Sequence, residues 1–215
     1  MNCSPQEAEQ ALNDLDAVER KTRTYTVLKG SDHVCFLWGM VWIIGFVLQH
    51  WLSRHPVSMR IGSFTLSGSG LFWTPLVLAA GILTYVIFLR TVPTRSKRLD
   101  ELARAVGPMW LALYAYAGFW LVMTETAAGE PLFQGAAGMR ALTTVASTLP
   151  MLALVLMGLY GCGRFLIVEG LLVTLATGIG FYMAGDWFYL YMAVAGGGIQ
   201  LATAGWVRHS LRRTA

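Results

Sequence analysis

Few side chains in this sequence have the type and spacing to do chemistry, and their positions limit what that chemistry is. Glu169 stands first. It lies about four residues into an apolar run of some twenty, roughly 6 Å deep at helical rise if that run crosses a bilayer. An ionisable group at such depth needs a compensating partner, so it marks a place where a cation is bound or a proton relayed. The structural alternative is a pairing with Arg164, or a hydrogen bond to a neighbouring helix near the headgroups.

Backbone-breaking residues mark a second place. Gly196-Gly197-Gly198 interrupts the last apolar run, with Gln200 just after it. Gly178 and Gly180 fall midway along the preceding run, beside Thr177, and Pro150 midway along the one before that. Small residues let helix backbones approach closely. A triple glycine at mid-membrane is also the composition of an unwound, substrate-binding segment. Pro150 removes the donor for the Ala146 carbonyl and predicts a kink. Freed backbone groups have no water to bond in lipid, so these breaks are expected to face the interior. A transporter would have a cavity touching Gly196–Gly198, with Gln200 or Thr177 supplying polar contacts. A packed scaffold would have the same glycines covered by a neighbouring helix.

Other chemistries find no support. His50 and His55 stand five apart, a poor metal spacing, and His33 falls at the opposite end of the first apolar run. Cys3, Cys35 and Cys162 are far apart, which argues against a disulfide framework and against zinc. No nucleophile–base pair is evident. The expectation is no catalytic residue, no metal, no cofactor and no enzyme.

The elements that must position these residues follow from composition. Hydrophobic residues make up 55% of the 215 and charged residues 13%, too few charges to cover the surface of a soluble domain of this size. The apolar residues cluster in runs long enough to cross a bilayer. Six are placed at about 34–52, 71–89, 108–126, 141–160, 165–184 and 187–207, forming a transmembrane domain over 32–215. The fold class is therefore an all-α membrane protein, a bundle of six transmembrane helices. The tight links around Gly161-Cys162-Gly163 and Gly185-Asp186 predict that the last three helices pack as antiparallel neighbours.

Ahead of the bundle, residues 1–31 form an amphipathic segment. Ser4, Pro5 and Glu7 read as a helix start with a capping box. Ala8, Ala11, Leu12, Leu15 and Val18 follow at helical spacing as one apolar stripe. This helix either docks a partner or lies on the protein's own cytoplasmic face. In the first loop, Met59–Leu66 reads as a small outer-side β-hairpin about a Gly62-Ser63 turn, and Ser67-Gly68-Ser69-Gly70 as a flexible link. Pro75 is placed in the first turn of the second helix.

Orientation follows from charge. With six crossings, thirteen of the sixteen basic residues fall on the side holding both termini, leaving Arg54, Arg60 and Arg140 on the other. The side rich in Lys and Arg is the cytoplasmic one, which places both termini in the cytoplasm and the chain in the cell (inner) membrane. Trp51, Trp73, Trp187 and Tyr182 read as outer anchors, and Trp38, Trp110, Tyr160 and Trp206 as inner ones. Because the basic residues flank apolar runs, the net charge of +4 points to lipid headgroups and not to nucleic acid. The expected partners are membrane lipids and a protein at the N-terminal helix. Two functions stay open: a small transporter or channel-like protein with a mid-membrane site, or a non-catalytic accessory or scaffold protein engaging a partner through its N-terminal helix.

Overall fold

Long apolar runs satisfy their backbone most simply as helices, and the chain is built from them. The computed structural model describes residues 28–55, 57–61, 64–91, 135–159 and 163–214, together with residues 9–15 and Gln6, Val18 and Tyr25. The 108–126 helix, the Ser4–Glu7 capping box, the Gly62-Ser63 turn and the Gly161-Cys162 link lie outside the described residues.

Helix α1 is Ser31–Arg54. It starts at Gly30, whose φ of +87° is a left-handed conformation that favours glycine. Asp32 in its first turn suits the positive end of the helix dipole. Strand β1 (Ser58–Ile61) then pairs antiparallel with β2 (Phe64–Ser67), from Ser58 opposite Ser67 to Ile61 opposite Phe64.

Helix α2, Gly68–Thr91, follows β2 without a link. Of the segment expected to be a flexible link, Ser67 closes β2 and Gly68-Ser69-Gly70 begin this helix, and Pro75 sits about two turns in, beyond the first turn. The strand hands the chain directly to the helix, and this context overrides the low helix propensity of glycine.

Helix α3 is Gly135–Met157, six residues earlier at its start than the sequence suggests and three earlier at its end. It runs on through Pro150 and widens into a π turn at Gly158–Leu159. There a side chain at Gly158 would crowd Ile167 and the Gly163 carbonyl. Helix α4 is Arg164–Met183. A short 3₁₀ turn, Gly185–Trp187, leads to α5, Phe188–Thr214. Helix α5 passes the expected end at 207 and carries Arg212 and Arg213 in its last turn, where cations meet the negative end of the dipole.

Consecutive helices α3 and α4 pack together, as do α4 and α5, and α1 packs on α2. Among the described residues, the most extensive contact joins α1 to α5. Their shared core holds Trp42 and Phe46 of α1, Met151 of α3, Val173 of α4, and Phe188, Tyr189, Met192 and Ala193 of α5. A smaller cluster gathers Leu28, Cys35, Phe165, Ala204 and Val207. Large apolar side chains also point outward, including Leu78, Ile82 and Leu83 of α2 and Leu171, Leu172 and Leu175 of α4. Five of the described helices are long and apolar enough to cross a membrane. Apolar faces of this extent indicate a membrane protein.

Candidate functional site

Glu169 belongs to the buried face of α4, which runs Phe165, Glu169, Gly170, Val173, Ala176, Thr177 and Gly180. Steps of three and four keep these residues on one side of a helix. That face turns Glu169 inward, leaving the residue 4% exposed. Its Oε2 accepts a hydrogen bond from the Cys35 Sγ of α1 at 3.7 Å. The carboxylate's partner is thus a thiol on another helix, and not Arg164. The surrounding cluster is apolar, and a thiol is a weak donor. The pair ties α4 directly to α1. Among the described residues, no group of three or more His, Cys, Asp or Glu is placed to hold a metal ion.

The three glycines of α5 have three different environments. The helix is continuous through them, not unwound. A Cβ on Gly196 would stand 2.5 and 2.6 Å from Trp42 ring carbons. A Cβ on Gly197 would stand 2.6 Å from Ile43 Cγ1 and 3.1 Å from the Gly39 carbonyl oxygen. The approach is mutual, because a Cβ on Gly39 would lie 3.2 Å from the Gly197 carbonyl oxygen and 2.8 Å from Leu201. Gly198 meets nothing within 4 Å among the described residues. Gly196, Gly197 and Gly39 therefore serve the α1–α5 contact, with side chains filling the space they leave.

Thr177 is fully buried, and its hydroxyl donates to the Val173 carbonyl at 2.7 Å, within its own helix. Gln200 is 2% exposed, and its Oε1 has no hydrogen-bond partner among the described residues. A buried acceptor without a donor is uncommon and costs stability. The residues singled out from the sequence are thus distributed: Glu169 at Cys35, Gly196 and Gly197 against Trp42 and Ile43, Thr177 bonded to its own helix, and Gln200 buried in α5.

Sequence reasoning missed a set of polar contacts between α1 and α2. Trp73 Nε1 donates to Gln49 Oε1 at 3.1 Å, and Trp38 Nε1 to Thr84 Oγ1 at 3.1 Å. Both tryptophans had the character of boundary anchors, yet their N–H groups link helices. At the same end of α1 as Gln49, His50 is buried and stacks on Trp187 at 5.7 Å, with the Arg54 guanidinium 5.4 Å from the same indole. An indole N–H needs a partner when buried, and that was the available signal. Which partner it takes depends on α1–α2 packing.

The apolar stripe of the N-terminal segment has a different character. Residues 9–15 are helical. Leu12 is 65% exposed, Leu15 65% and Val18 63%. Glu9 and Asp14 are exposed beside them. Leu12 and Leu15 are thus large apolar side chains on an exposed helix.

The chain matches no known protein family, no curated protein and no solved structure.

Proposed function

We propose that the protein is a non-catalytic accessory protein of the cell membrane that presents its N-terminal helix to a protein partner. It would cross the membrane six times, with both termini in the cytoplasm, as the distribution of Lys and Arg supports. The observation that carries this reading is the exposure of Leu12, Leu15 and Val18. A stripe lying on the protein's own cytoplasmic face would be covered. An uncovered one gains by burial against another surface, at about 25 cal/mol per Å² of apolar area.

The interior supports the same reading. A mid-membrane transport site needs room at Gly196–Gly198, and Trp42 and Ile43 already stand against Gly196 and Gly197. Thr177 spends its hydroxyl proton on its own helix. These are features of a packed scaffold.

The test is purification of the tagged full chain from native membrane in mild detergent, followed by mass spectrometry. A protein should accompany the wild type in constant ratio and disappear from the Leu12→Asp/Leu15→Asp variant. Lipid alone, or the same proteins with both chains, would contradict the reading.

A further inference from the structure

The chemistry of the missing partner can be read from what flanks the stripe. Residues 1–19 carry Glu7, Glu9, Asp14, Asp16 and Glu19 and no Lys or Arg. At helical spacing Glu9 falls along one edge of the stripe and Asp14 along the other, on either side of Leu12 and Leu15. Glu9 and Asp14 are exposed, as are Leu12 and Leu15 between them.

A lipid surface is a poor occupant for such a face. Helices that lie in the headgroup region carry Lys and Arg on the polar face, and the cytoplasmic leaflet is anionic. Acids on both edges would meet that potential with the wrong sign. The bases of this segment, Arg20, Lys21, Arg23 and Lys29, come only after the stripe, next to α1. Their sequence position puts the positive charge next to α1, where the headgroups would lie, and keeps it off the stripe. A second copy fits poorly too. Two copies inserted in the same sense would bring acidic edges alongside each other, which is destabilising.

We propose that the N-terminal helix docks into an apolar groove of another protein whose rims carry Lys or Arg. Leu12 and Leu15 are the anchors in the groove, and the acidic edges pair with its rims. This is helix-in-groove recognition, with apolar anchors supplying affinity and edge charges supplying orientation and encounter rate. The inference rests on the accessory reading above and adds the sign of the partner's charge.

The experiment uses the full-length chain in cells, with a photoreactive amino acid at Leu12. Irradiation should give an adduct to a second protein, and peptide mapping should place the adduct between Lys or Arg residues. Leu15→Asp should abolish the adduct. Glu9→Lys/Asp14→Lys, which keeps the stripe, should reduce its yield about ten-fold at unchanged membrane abundance, with the loss shrinking as salt is raised in isolated membranes. A protein adduct lost with Leu15→Asp but indifferent to charge reversal would overturn the basic rim and leave the accessory reading standing. An adduct to lipid or to a second copy of this chain, or no adduct, would overturn both.

Discussion

Alanine at Gly196 adds a single methyl group, and the structure says where that methyl goes. It would stand 2.5 Å from Trp42 Cε3, where carbon atoms at rest keep about 3.5–4.0 Å. The ring would have to retreat by about 1 Å. It has little freedom to do so, because Trp42 is buried and packs edge-on against Phe46 at 5.3 Å. Overpacking of this kind costs about 1–3 kcal/mol, and a rigid indole places the case toward the upper end. Alanine regains about 1 kcal/mol of helix propensity. The net expectation is a loss of about 1–2 kcal/mol. Two residues along, Gly198 meets nothing within 4 Å among the described residues, so Gly198→Ala collects the propensity term alone. It should be neutral or stabilising by up to about 1 kcal/mol. The assay is reversible unfolding of the full chain in mixed micelles by titration with a denaturing detergent, followed by tryptophan fluorescence. The contrast between these two glycines, a loss at Gly196 and none at Gly198, is the essential result. Equal effects at both positions, or stabilisation at Gly196, would refute the close α1–α5 contact and the filled-core argument built on it.

Trp73→Phe should destabilise the same preparation by about 1–3 kcal/mol, because it leaves the buried Gln49 acceptor without its donor. Adding Gln49→Leu to Trp73→Phe should recover much of that loss, and a strictly additive double variant would count against the hydrogen bond. Cys35, in a Cys3→Ser/Cys162→Ser chain, should resist a maleimide in the folded protein and react once the protein is unfolded, since the thiol is buried against Glu169. Rapid labelling of the folded chain would place that thiol at a surface.

The sequence announced the helices far more clearly than their neighbours. Length and hydropathy mark where α1, α4 and α5 run to within a few residues at most ends, because crossing length is a property of each run alone. The pairing of α1 with α5 joins the two ends of the chain, and nothing local encodes it. The partner of Glu169 shows the same divide. Depth alone says that the carboxylate needs company, but its donor is a cysteine 134 residues earlier, on a helix brought alongside by packing. Gly196, Gly197 and Gly198 are identical in sequence and differ in role, because a rotation of 100° per residue turns the first two toward α1 and the third away. His50, near the end of its apolar run, carried no sign that Trp187 would cover it. Boundaries moved where context outweighed propensity. The glycines and serine after β2 became helix, and the basic tail extended α5 to Thr214.

Everything proposed for the N-terminal helix depends on a chain that crosses the membrane six times and leaves that helix in the cytoplasm. Reporter fusions in the living cell test this most directly, placed after Arg104, after Arg213 and near Gly129. The account predicts a cytoplasmic signal at the first two positions and an outside signal at the third. An inverted signal at any one of them would contradict the six-crossing topology, and with it the side of the membrane on which Leu12 and Leu15 are offered.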